Sequence, residues 1–152
     1  MKNIWIVCGR IVFWLTWPVL KIRLNLSRRV RAVIYYKDEI LVVKSWIGNS
    51  KWTIPGGGIK IGEASIDALI REVKEEVGIE LKSTSCQNVG DFIYNSTGLR
   101  YRYALYAIKL KAKPSINVNK TEIVDAEWLK LSKINQSNSN SDAINAKNWL
   151  KS

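Results

Sequence analysis

A run of 23 residues from Gly57 to Ile79, GGIKIGEASIDALIREVKEEVGI, constrains this chain more than any other part of it. It joins a glycine-rich turn to a segment with helical periodicity. Ile66, Leu69, Ile70, Val73 and Val77 recur at the spacing of one helical face, so the predicted helix has an apolar stripe to bury. Ser65 is the expected cap, Asp67 suits the first turn, and Gly78 is the expected stop. Glu72, Glu75 and Glu76 fall on neighbouring positions of the same helical surface. Glu72 and Glu76 border the apolar stripe, and Glu75 lies further round. Like charges this close repel one another, and a hard divalent cation that takes carboxylate oxygens relieves the repulsion. The run therefore predicts a metal site; an acidic helix face exposed to water is the plainer alternative.

The spacing is specific. It resembles a Nudix box: Gly, five residues, Glu, seven residues, then Arg-Glu-aliphatic-x-Glu-Glu-x-Gly-aliphatic. Gly57, Glu63, Arg71, Glu72, Val73, Glu75, Glu76, Gly78 and Ile79 fill every specified position. The resemblance implies an α/β fold, an α/β/α sandwich around a mixed β-sheet, for about residues 28–152. It also implies metal-dependent hydrolysis of a nucleoside diphosphate linked to another group, with Mg²⁺ or Mn²⁺ as cofactor. By the same resemblance Glu75 and Glu76 hold metal with help from the Gly56 carbonyl. Glu72 is a metal ligand, the general base, or both. Arg71 orients Glu72, and Glu63 pairs with Arg71 or supports the metal shell. A further acid outside the box often completes such sites; Glu122 is the first candidate, with Asp125 and Glu127 behind it.

Composition narrows the chemistry independently. The chain has 152 residues, enough for one domain with a sizeable core. It has no histidine, which excludes His-dependent triads and His-ligated zinc and leaves carboxylates as the leading candidates for a general base. The formal charge of +11 is unevenly placed. Residues 1–31 carry Lys2, Arg10, Lys21, Arg23, Arg28, Arg29 and Arg31 without an acid, whereas residues 63–80 are acidic. A basic body around an acidic helix suits a polyphosphate substrate held on a metal cluster. Cys8 and Cys86 form no CxxC pair and point to a reducing, cytoplasmic compartment.

Residues 1–27 form a separate unit, an apolar, Trp-rich segment with a basic flank. A helix over residues 4–20 would reach about 25 Å, short of the roughly 30 Å of a hydrocarbon core. Arg10 interrupts the apolar run, which also argues against a signal peptide. The basic stretch favours contact with an anionic membrane surface through residues 1–31, at the inner face of the membrane. The alternative is a helix docked on its own domain or on a partner subunit. Oligomeric state is left open, a homodimer included.

The remaining pattern predicts strands and a closing helix. Residues 21–27 alternate with period two, and residues 30–36 and 39–46 read as a hairpin around Lys37-Asp38. Trp52-Thr53-Ile54 reads as a short strand. Tyr101, Tyr103 and Leu105 alternate with Arg100 and Arg102 on a strand ending near Lys111; residues 122–131 suit another, Asn135–Ser141 a loop, and Asp142–Leu150 a helix. Trp52 and Tyr101 are candidates to stack a base and Arg102 to contact phosphate, against the alternatives of core packing and a wet strand face. No signature of the NADH-hydrolysing or coenzyme A subgroups is recognisable. Three functional classes remain: a pyrophosphohydrolase, a Nudix-fold nucleotide-binding or regulatory module without turnover, and a membrane-associated basic module.

Overall fold

A computed structural model describes residues 28–46, 49–96 and 99–152. The apolar segment expected over 1–27 lies outside the described residues, as does the period-two strand at 21–27.

Strand β1 (Arg29–Tyr36) turns into β2 (Glu39–Ser45) through Lys37, which adopts φ 54°. Helix α1 (Ser65–Val77) follows, then β3 (Gln87–Ser96), β4 (Leu99–Lys109), β5 (Ile123–Lys130) and helix α2 (Ser141–Lys151). The strands form a five-stranded sheet in the order β3-β4-β1-β2-β5. The β1–β4 pair is parallel, with Arg29 opposite Tyr103; the other pairs are antiparallel. The sheet is therefore mixed, as the sequence predicts.

Alternation along the central strands builds two cores. Val30, Ala32 and Ile34 of β1, with Leu41 and Val43 of β2, pack under Ala68, Leu69, Val73 and Val77 of α1. Val33, Ile40, Val42 and Leu105 face the other way, towards Ile134, Ala143 and Ala146. Both faces of the sheet are covered, giving three layers, helix on sheet on helix. Helix α1 ends where expected: Gly78 takes φ 71° and its N–H bonds to the Lys74 carbonyl at 3.0 Å. Its start is one residue earlier than expected. Ala64, not Ser65, is the cap, and it makes no side-chain bond. The first turn thus rests on packing and Asp67 instead.

Two elements differ from the sequence reading. Strand β3 has no clear alternating pattern because a register shift between Asn88 and Gly90, with Gly90 at φ 132°, breaks the period. The Trp52–Ile54 strand is present only as isolated bridges, Thr53 to Val43 and Trp52 to Ser139. Those bridges matter because β1 and β2 pair only near their turn, at Tyr35–Ile40 and Tyr36–Glu39. Beyond it the 52–59 segment lies between them. Thr53 exchanges backbone bonds with Val43 on one side. On the other, the Pro55 and Gly57 carbonyls accept from Ala32 and Val30, at 2.8 and 3.0 Å.

Among the described residues no helix is long and apolar enough to cross a membrane. Leu69 of α1 is fully buried against the sheet, whereas Ile61 in the loop before the helix is fully exposed. Leu69→Ala should therefore cost about 2–5 kcal/mol in equilibrium urea unfolding, and Ile61→Ser less than about 0.5 kcal/mol. Equal effects of the two would contradict this placement of the core.

Candidate active site

The site lies where the 52–59 segment meets α1. Gly56 has φ 134°, a conformation that favours glycine, and a Cβ there would overlap the Val30 carbonyl and lie 2.9 Å from the Arg31 Cα. At Gly57 a Cβ would overlap the Glu72 carboxylate. The two glycines therefore let the loop backbone approach β1 on one side and a helix carboxylate on the other.

Arg71 joins the loop to the helix. Its Nε and Nη2 donate to Glu63 Oε1 and Oε2 at 2.8 and 2.9 Å, a bidentate pair. Nη2 also donates to the Gly58 carbonyl at 3.0 Å, and Nη1 donates to Glu72 Oε1 at 2.7 Å and Glu75 Oε2 at 3.2 Å. These bonds match the donor capacity of a guanidinium. Glu63 also accepts from the Lys60 N–H at 2.8 Å. The bonds from Arg71, then Lys60, lower the Glu63 pKa to about 2. The Glu63 bond chiefly, with Glu72 adding, raises the Arg71 pKa. Of the two roles open to Glu63, this geometry displays the pairing with Arg71.

Glu76 occupies a different environment. The sequence places it at the border of the apolar stripe, but the fold buries it, leaving 8% exposed. Its Oε2 accepts the Gly56 N–H at 2.9 Å. Burial pushes its pKa up to about 7; Arg31 and the Gly56 N–H oppose the rise, and the like charges of Glu72 and Glu122 add to it. Glu122, remote in sequence, thus falls within electrostatic reach of Glu76. Its side chain is exposed at the foot of β5, and its carbonyl accepts the Trp46 N–H at 3.2 Å. Asp125 and Glu127 are exposed further along β5.

A carboxylate set without nitrogen or sulfur suits a hard cation such as Mg²⁺ or Mn²⁺. Buried Glu76, with Glu72 and Glu122 acting on it, concentrates the negative charge that such an ion would offset. As the side chains stand, no three acidic groups among the described residues converge on one point. Arg71 engages Glu72 and Glu75, and the Gly56 carbonyl accepts Arg31 Nη1 at 2.8 Å. The donor chemistry fits the ion; the grouping of the side chains is looser than a coordination shell.

The aromatic candidates are placed mainly in the core. Trp52 is buried on the α2 side of the sheet, with Lys44 Nζ 3.9 Å from its ring centroid. Tyr101 stacks on Tyr94 at 4.6 Å and 7°, and its hydroxyl accepts from Arg31 Nη2 at 3.0 Å. Arg102 is exposed on the opposite face of β4 from Tyr101. Neither Trp52 nor Arg102 is brought to the carboxylates, whereas Tyr101 is connected to them through Arg31 and through Arg29, whose guanidinium lies 4.9 Å from its ring centroid and within electrostatic reach of Glu72.

Arg31 and Asp142 were not legible as site-related residues. Arg31 is buried on the α2 face of β1, donating to the Ile54, Gly56 and Tyr101 oxygens. Burial would lower its pKa, but Tyr101, Asp142 and Glu76 together outweigh that and raise it. Its Nε lies 3.3 Å from Asp142 Oδ2 without hydrogen-bond alignment, so this contact is an ion pair only. Asp142, also buried, accepts from the Thr53 hydroxyl and from the Ala143 N–H. One signal was available: Arg31 interrupts VRAVIYY, whose apolar residues imply burial on both faces.

Comparison with known proteins agrees with this architecture. The NUDIX domain family model matches residues 26–150. An RNA pyrophosphohydrolase of Ruthia magnifica is 36% identical over 78 residues, covering 51% of this chain and 40% of its own length. Nudix hydrolase 10 of Arabidopsis thaliana is 32% identical over 128 residues, covering 79% of this chain and 44% of the relative. The chain thus spans less than half the length of either relative. The MutT NUDIX hydrolase of Burkholderia pseudomallei has the same fold, with a TM-score of 0.69 at 20% identity over 80% of this chain and 95% of that one. A complete box on an observed loop-helix junction, in the fold expected of it and within a family match spanning nearly all described residues, makes this chain a member of the Nudix family.

Proposed function

We propose that the chain hydrolyses a pyrophosphate bond in a nucleoside diphosphate joined to a further group, using Mg²⁺ or Mn²⁺ held by its glutamates. The observation that carries the reading is Glu76: a buried carboxylate under the like charges of Glu72 and Glu122, beside a loop whose glycines admit close approach. A purely structural position has little reason to concentrate negative charge there. The pyrophosphohydrolase relative supports the reaction class.

In this reading Glu76 and Glu75 hold the ion, with Glu72 as a further ligand, the general base, or both. When bound, the ion supplies Lewis acidity to the phosphoryl oxygens and the attacking water. As the general base Glu72 would accept a proton from the attacking water; in either role its position depends on two contacts. Arg71 holds Oε1, and the absence of a Gly57 side chain leaves room for the carboxylate. Glu63 keeps Arg71 in place through its bidentate pair. Glu122 is the further acid in reach. The same residues also suit a nucleotide-binding module without turnover. The membrane contact expected of residues 1–31 cannot include Arg31, which is buried in β1. Contact of the residues before Arg28 with an anionic membrane surface is a separate proposal, tested by fractionating the full chain against one starting at Arg28.

Substrate class is tested with a panel of (d)NTPs, oxidised dGTP, ADP-ribose, dinucleoside polyphosphates, nucleotide sugars and 5′-triphosphorylated RNA. At least one should be cleaved with Mg²⁺ or Mn²⁺, and excess EDTA should abolish cleavage until metal is restored. Tight binding of a panel member without cleavage would instead favour the binding module. Glu72→Gln should lower kcat by at least about 10²-fold, the low end for lost general-base assistance; wild-type kcat would remove Glu72 from that role. Gly57→Ala should also cost about 10²-fold, because it displaces Glu72, while the melting temperature changes little. An active Gly57→Ala enzyme would show that the placement of Glu72 is not critical.

A further inference from the structure

We propose that Arg31 is a positioning residue for Glu76, acting through Gly56 and held in place by Asp142 from the far side of the sheet. The inference rests on the reading of Glu76 as an ion-holding carboxylate.

Strand β1 takes four successive carbonyls of the site loop. Its backbone N–H groups at Ala32 and Val30 bond to the carbonyls of Pro55 and Gly57 at 2.8 and 3.0 Å. The Arg31 side chain takes the two between and before them, donating from Nη1 to Ile54 at 3.0 Å and Gly56 at 2.8 Å. Gly56 is thus held at its carbonyl by Arg31, while its N–H holds Glu76 Oε2 at 2.9 Å. Glycine has the freest backbone of any residue, and at φ 134° this one has no side chain to fix it. Arg31 replaces that missing constraint.

Stability alone is a poor account of the pair. A buried ion pair is often no more stabilising than apolar residues of the same volume, and the surrounding core is apolar. Nor is Arg31 placed to meet a ligand from solvent. It is 7% exposed, with Nη1 on two carbonyls, Nη2 on Tyr101 and Nε against Asp142. Asp142 in turn is anchored by Thr53, whose own backbone is paired with β2. The chain of contacts runs from α2 through β1 and the loop to α1, and ends on Glu76.

The experiment measures Mn²⁺ binding by electron paramagnetic resonance on the full chain, with thermal unfolding alongside. Arg31→Met combined with Asp142→Asn removes both buried charges together, so it should fold with a melting temperature within a few degrees of wild type. Its Kd for Mn²⁺ should nevertheless rise about 10-fold or more, the usual scale for groups that orient metal ligands. In a Glu76→Gln background the same pair of substitutions should change Kd by less than about twofold, because effects through one shared residue are not additive. Wild-type affinity in the folded double variant overturns the proposal, as does an undiminished 10-fold loss in the Glu76→Gln background. If the double variant does not fold, Arg31→Lys keeps the charge but not the planar fork; it should show the same loss, and unchanged affinity there overturns the proposal. A wild-type chain that binds no Mn²⁺ fails differently: it removes the metal reading itself, and this inference with it.

Discussion

The opening of β1 away from β2 governs the rest of the molecule. Two adjacent strands that paired along their whole length would leave no place for a loop inside the sheet. Here they pair only beside their turn, and the 52–59 segment fills the gap with hydrogen bonds to both. The glycine turn is therefore not a surface loop free to move. It is a backbone ribbon held on two sides, and the carboxylates of α1 are positioned against a nearly fixed surface. This satisfies the backbone groups that the separation of β1 and β2 would otherwise strand in the interior.

Two arginines manage the negative charge of α1, and they do so differently. Arg71 is partly exposed and distributes its donors among Glu63, Glu72, Glu75 and the loop. It sets geometry at the wet edge of the site, where an ion pair contributes little to stability. Arg31 is buried and linked by hydrogen bonds to Glu76 through Gly56, and its charge also acts on Glu76 directly at the dry edge, where solvent does not screen it. Glu76 sits between these regimes. Its raised pKa follows from burial first, with two like charges adding and one guanidinium opposing.

Much of this architecture is legible in the chain because short-range physics dictates it. The β1–β2 hairpin, α1 and its glycine stop, β4, β5 and α2 all follow from periodicity and turn residues, within a few residues of their observed limits. Strand β3 is not legible, because a bulge at Gly90 destroys the alternation that would reveal it. The helix cap is misplaced by one residue because Ser65 has the right chemistry, but the chain enters the helix at Ala64. The box leaves Glu63 either paired with Arg71 or supporting the metal shell, and the bidentate pair is visible only in the structure. Arg31, Thr53 and Asp142 are not legible as a group, since they lie far apart in sequence and meet only when α2 closes over the sheet.

The sequence by itself determined the family, the loop-helix unit and the carboxylate set, because these depend on residue spacing within one continuous segment. The absence of histidine likewise narrowed the chemistry before any fold was known. Only the tertiary structure decided which glutamate is buried, since burial of Glu76 depends on β1 and the 52–59 ribbon packing over one side of α1. It also decided that Trp52 belongs to the core, and that Glu122 lies within reach of Glu76. Periodicity states which side of a helix is apolar. It does not state what that side will meet, and the charge balance of this site is set by what it meets.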